Sequence, residues 1–106
     1  MADKQFADQL GAAWAQHLQG KNDDAIEGFE RILREAPDNI DAYYGLGLAN
    51  RASGRPEKAV EYFQKSLALV KEAVAKDPGQ NRHNMLLRMT NQRLAELRDL
   101  TRMKDQ

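Results

Sequence analysis

The side chains that most often carry out chemistry are few in this sequence and are not grouped. The two histidines, His17 and His83, stand far apart, and no cysteine, histidine or carboxylate accompanies either at metal-binding spacing. Ser53 precedes a glycine in a predicted turn and Ser66 occupies a position that favours a small side chain, so neither resembles an activated nucleophile. The glycines of "GLGLAN" (residues 45–50) lie within a predicted helix, which excludes a dinucleotide site between a strand and a helix. The sequence therefore predicts no enzymatic activity, no metal and no cofactor.

Composition places the chain among ordinary small domains. Its 106 residues are enough for one domain, residues 1–106, with a modest core. Sixteen Lys and Arg balance sixteen Asp and Glu, so net charge favours neither nucleic acid nor a membrane surface. We find no apolar stretch of about 18 residues that could span a membrane, and no secretory signal. The absence of cysteine is compatible with a reducing compartment, and we expect a cytoplasmic location.

An internal repeat defines the elements that would position any site. Shifted by 34 residues against itself, the sequence shows identical residues in one register. The pairs include Ala15 with Ala49, Gly20 with Gly54, Ala25 with Ala59, Glu27 with Glu61, Phe29 with Phe63, and Leu33 with Leu67. Gly20 and Gly54 would each allow the chain to reverse between two helices. We expect Gly47 to face Ala59, because small residues allow two helices to approach closely.

Each repeat unit is predicted to contain two helices. The second helix of the first unit, near residues 23–35, has apolar residues at helical spacing and stops before Pro37. Its counterpart in the second unit begins with Pro56 and meets no further proline until Pro78. This later stop predicts a helix of roughly 21 residues, about two turns longer than in the first unit.

These residues resemble the tetratricopeptide repeat family, whose 34-residue pattern spans two helices. The second unit matches through Tyr43, Leu46, Gly47, Gly54, Ala59, Phe63 and Ser66, and the first through Ala13, Gly20, Ala25, Phe29 and Pro37. The resemblance implies an all-α fold, a helix-turn-helix repeat array (a TPR-like α-solenoid) of five helices. Its parts are repeat one at residues 6–39, repeat two at 40–79 with an extended second helix, and a capping helix at 80–104 that shields the last apolar face.

The first helix departs from the family pattern. Gln9 and Gln16 occupy positions where the family usually has apolar or aromatic side chains, while Leu10 and Trp14 lie on the apolar side of the helix. Two interpretations remain open. Either the helix is rotated or extended so that Leu10 and Trp14 join the core, or the ungapped register holds and both face the concave groove.

The capping helix is unusually apolar. Its apolar side chains are Met85, Leu86, Leu87, Met89, Leu94, Leu97, Leu100 and Met103. They cover an arc much wider than the roughly 100° stripe that packs on one neighbouring helix. Either this helix is buried on two sides within the chain, or it buries a second side against another molecule.

The resemblance implies a non-enzymatic protein–protein interaction module that binds a peptide or helix of a partner protein in its concave groove. The family's inward positions correspond here to Ala7, Leu10, Trp14, His17, Asp41, Tyr44, Leu48, Arg51, Arg82, Met85 and Met89. The alternative is a structural unit that self-assembles through exposed apolar faces, chiefly Leu87, Leu94, Leu97 and Leu100. Acidic residues predominate in residues 1–41 and basic residues in 82–106, which would suit such a homo-oligomer. We expect no nucleic acid, membrane or small-molecule substrate as a partner.

Overall fold

The computed structural model describes residues 6–104, with side chains described for residues 6–99. Within this range, turns connect five helices and no strand is present. The helices are α1 (Ala7–Leu18), α2 (Asn22–Glu35), α3 (Ile40–Ala52), α4 (Pro56–Lys76) and α5 (Asn81–Lys104). The predicted all-α repeat array is confirmed.

Two glycine turns fix the repeat register. Gly20 and Gly54 adopt positive φ angles of 81° and 78°, a backbone region that glycine enters without a clash from Cβ. The amide of the residue before each glycine donates a hydrogen bond to the carbonyl of Ala15 and of Ala49, at 3.1 and 3.0 Å respectively. Because the same turn recurs at the same offset, the ungapped register holds.

Local sequence signals set the helix boundaries. The side chain of Asn39 accepts a hydrogen bond from the amide of Ala42 (3.0 Å) and so caps the start of α3. Pro56 occupies the first turn of α4, where its missing N–H is not needed. α2 ends two residues before Pro37, whereas α4 continues for 21 residues to Lys76. The predicted extension of α4 is therefore confirmed.

Two phenylalanines at equivalent repeat positions lie in the core. Phe29 of α2 and Phe63 of α4 are fully buried. A Cβ atom built on Gly45 would lie 2.3 Å from the Phe29 ring, and one on Gly47 would lie 2.5 Å from the Phe63 ring. The small residues of α3 thus allow aromatic rings to contact its backbone. The close approach was predicted correctly, but the nearest neighbour of Gly47 is the Phe63 ring and not the side chain of Ala59.

The closing helix α5 packs on α4. Leu86, Thr90 and Leu97 are buried. The hydroxyl of Thr90 donates to the carbonyl oxygen of Leu86 at 2.7 Å, so this buried polar group is satisfied within the helix. The opposite side of α5 is largely polar and exposed.

The structure corrects the leucine surface that the sequence suggested for self-association. Leu97 is 0% exposed, so it belongs to the core and not to a surface. Leu87 and Leu94 are half-buried and pack against the same core cluster. The side chain of Leu100 lies outside the described residues. The sequence pattern overestimated this surface because it gives the direction of a side chain on the helix but not how closely α4 covers it.

Candidate partner-binding groove

A cavity of about 350 Å³ opens between α1, α3 and α5. Its lining, which we call the groove, consists of Trp14, Asp41, Tyr44, Leu48, Arg82, Met85, Leu86 and Met89. Seven of these eight side chains were predicted for the concave face from the sequence. Leu86 was the exception: the sequence placed it in the apolar arc of α5 but not among the groove positions, and the structure shows it buried. The structure therefore brings together residues from three helices that are distant in sequence.

Trp14 belongs to the core and to the groove at once. Its ring packs edge-on against Phe29, with ring centroids 5.3 Å apart, and lies 6.3 Å from the ring of Tyr44. Tyr44 in turn packs edge-on against Phe63 at 5.5 Å. The half-buried Trp14 therefore combines the two open interpretations, whereas Leu10 packs against the core cluster and does not line the groove.

Two charged side chains form one edge of the groove. Arg82, at the start of α5, donates a hydrogen bond to the carboxylate of Asp41, at the start of α3. The two residues are 41 positions apart in the sequence, so this contact ties α5 to α3 directly. The Arg82 side chain is 61% exposed and the Asp41 side chain 26%, which leaves the pair at the solvent boundary. An ion pair at the solvent boundary contributes little to the free energy of unfolding. Its place in the groove is as a polar edge beside the apolar lining.

A second charged cluster lies near the C-terminal end of α3. Nη1 of Arg51 is 3.9 Å from Oε1 of Glu96, and Nε of Arg93 is 3.1 Å from the same oxygen. We call Arg51, Arg93 and Glu96 the arginine cluster. The Arg93 and Glu96 atoms are both buried, and their contact lacks the alignment of a hydrogen bond.

The arginine cluster is within electrostatic range of the groove. Burial raises the pKa of the Tyr44 hydroxyl above its ordinary value, while the charges of Arg93 and Arg51 act to lower this pKa and that of Glu96 acts to raise it. Tyr44 is therefore neutral at physiological pH.

The remaining predicted groove residues do not line the cavity. Ala7 is exposed on α1. His17 is half-buried, with Nδ1 3.0 Å from Oδ1 of Asn22 and its ring edge-on to Trp14 at 6.2 Å, so it connects the end of α1 to the start of α2. Arg51 belongs to the arginine cluster.

Two of the exposed large apolar side chains lie in the groove. Among the described side chains, those in this class are Leu18 (83% exposed), Met85 (52%) and Met89 (39%). The two methionines line the groove, and Leu18 lies one helical turn beyond Trp14 on α1.

In the part of the chain that the structure describes, no three or more His, Cys, Asp or Glu side chains are grouped so that they could hold a metal ion. No helix in that part is long and apolar enough to cross a membrane.

Comparison with known proteins agrees with this architecture. The sequence profile of the tetratricopeptide repeat family matches residues 10–81, so the chain belongs to this family. Over 54 residues it is also 37% identical to Superkiller protein 3 of Saccharomyces cerevisiae. That match covers 50% of this chain and only 4% of the yeast protein. Tetratricopeptide repeats are non-catalytic and generally mediate protein–protein interactions.

Proposed function

We propose that this chain is a non-enzymatic, cytoplasmic protein-interaction module whose groove binds a peptide or helical segment of a partner protein. The observation that carries the proposal is the cavity itself. Six of its eight lining side chains are apolar or aromatic, and they come from three different helices. A volume of about 350 Å³ is enough for one or two apolar side chains of a bound segment.

The composition of the groove suits an adaptable contact of modest strength. Met85 and Met89 are flexible, so they can adjust to the shape of an inserted side chain. Each apolar side chain that becomes fully buried contributes about 1.5–3 kcal/mol. The cost of association offsets much of this gain, so we expect dissociation constants on the order of micromolar.

Trp14 provides a direct test, because it is the single tryptophan of the chain and lines the groove. Peptides would be selected from a displayed random library on the wild-type protein, synthesised without tryptophan, and titrated while Trp14 emission is recorded. A peptide that fills the groove should change the emission with a micromolar midpoint.

Matched variants locate the binding site. Met85→Glu combined with Met89→Glu places two charges in the apolar lining and should abolish the titration, and because both side chains are exposed the fold should survive. Ala68→Glu puts a charge on an exposed position of α4 outside the groove and should leave binding unchanged. Peptides that bind equally well to the double variant, without a change in Trp14 emission, would overturn the proposal.

The alternative, self-assembly through α5, has weaker support. It was based on four leucines, of which Leu97 is now known to be buried and Leu87 and Leu94 are half-buried against the chain's own core. Among the described side chains of α5, the exposed large apolar ones, Met85 and Met89, line the groove instead.

A further inference from the structure

The two charged clusters beside the groove differ in their ratio of positive to negative side chains. Asp41 and Arg82 form a one-to-one pair. In the arginine cluster, the single carboxylate of Glu96 is shared by the guanidinium groups of Arg51 and Arg93. Counted over the described residues, that cluster therefore carries one more positive than negative charge.

Arg51 is the less well paired of the two arginines. Its Nη1 lies 3.9 Å from Glu96 Oε1, which is beyond hydrogen-bonding distance, while Arg93 Nε lies at 3.1 Å from that oxygen. Among the side chains that the structure describes, none forms a hydrogen bond with the Arg51 guanidinium. A guanidinium presents five N–H donors in a planar fork that matches a carboxylate. Arg51 thus retains most of its capacity to bind one.

Arg51 is also placed correctly to act on a segment in the groove. It follows the groove residue Leu48 by three positions on α3, so the two side chains share a face of the helix about 4.5 Å apart along its axis. The electrostatic influence of Arg51 on the Tyr44 hydroxyl is consistent with this proximity. The positive charge therefore lies about one turn beyond the apolar lining.

We infer that the segment bound in the groove is acidic: it carries an Asp or Glu near its apolar anchor, and this carboxylate pairs with Arg51. The inference rests on the proposed function, since it specifies the chemistry of the same site. One helical turn on α3 corresponds to three or four residues of a bound helix or to two residues of an extended peptide. The acidic residue is therefore two to four positions from the leucine, methionine or phenylalanine that enters the cavity.

The selected peptides test this directly. We expect them to share an acidic residue at that spacing from a large apolar residue. Arg51→Gln should weaken their binding about tenfold or more, because a charge-assisted hydrogen bond is lost, and binding to the wild type should weaken as salt is added. Arg34→Gln is the matched control: Arg34 is exposed on α2, a helix that contributes no residue to the groove, so affinity should not change.

A charge exchange gives a second readout that a general loss of structure would not produce. A peptide whose acidic residue is replaced by lysine should bind the wild-type protein poorly and should recover affinity on Arg51→Glu. Circular dichroism of each variant checks that the helices are intact.

The outcomes separate the two proposals. Peptides that change Trp14 emission but contain no acidic residue, or that bind Arg51→Gln as tightly as the wild type, would refute the acidic-partner inference and leave the groove function standing. Peptides that are indifferent to the Met85 and Met89 substitutions would refute the groove function itself. A protein that dimerises through the groove would show that a second copy is the occupant, and the inference would then be wrong.

Discussion

Gly45 and Gly47 illustrate how single residues control the packing of this array. Both lie in the middle of α3, where glycine weakens a helix by roughly 0.5–1 kcal/mol relative to alanine. Contact with the buried rings of Phe29 and Phe63 accounts for their presence, because even a methyl group at either position would overlap a ring. The cost to helix propensity is offset by the close packing of two aromatic side chains.

Gly47→Ala should therefore destabilise the protein. Its Cβ would lie 2.5 Å from the Phe63 ring, and that ring is fully buried and cannot move aside freely. We expect a loss of about 1–3 kcal/mol in the free energy of unfolding. For a domain of this size, each kcal/mol corresponds to roughly 4–8 °C in Tm, which thermal unfolding followed by circular dichroism would resolve.

Gly11→Ala is the control for this prediction. Gly11 lies in the exposed part of α1, and a Cβ built on it has nothing within 4 Å. The same substitution should here raise stability by about 0.5–1 kcal/mol through helix propensity alone. If both variants shifted Tm in the same direction, ring contact would not be the reason for glycine at position 47.

At the scale of elements, α5 shows what a helical pattern predicts and what it does not. The resemblance implied a closing helix at residues 80–104, and the structure shows a helix at Asn81–Lys104. The pattern alone did not distinguish the buried Leu97 from Met85 and Met89, which are exposed beside the groove. That division depends on the rotation of α5 against α4, and hence on contacts between helices rather than on spacing within one helix.

Leu97→Ala tests whether the closing helix contributes to the core. Leu97 is fully buried, so the substitution should remove buried surface and leave a cavity, at a cost of about 2–5 kcal/mol in the free energy of unfolding. Denaturation in urea, with the midpoint and slope fitted together, would measure it. Leu18→Ala is the matched control, because Leu18 is 83% exposed and its truncation should change stability by less than about 0.5 kcal/mol. Equal effects of the two variants would mean that α5 does not pack on α4 as described.

At the scale of the whole molecule, most of the correct predictions about the fold followed from the 34-residue repeat register. Once Gly20 and Gly54 were aligned, the succession of helices followed, and the predicted inward positions of α3 and α5 included six residues that line the cavity. The sequence did not predict the dual role of Trp14 or the sharing of Glu96 by two arginines. Both depend on distances between side chains of different helices, which a one-dimensional pattern does not contain.

The burial of the apolar side chains of α5 leads to an expectation for the oligomeric state of the protein in solution. Among the side chains of α5 that the structure describes, four large apolar ones are buried or half-buried within the chain, and the two exposed ones, Met85 and Met89, lie at a cavity rather than on a flat face. We therefore expect a monomer of 12.0 kDa by light scattering from low to high micromolar concentration. A stable dimer would contradict this expectation. In that case the Met85→Glu and Met89→Glu double variant would identify the interface: a return to monomer would place a second copy in the groove, whereas an unchanged dimer would place the contact elsewhere on the array.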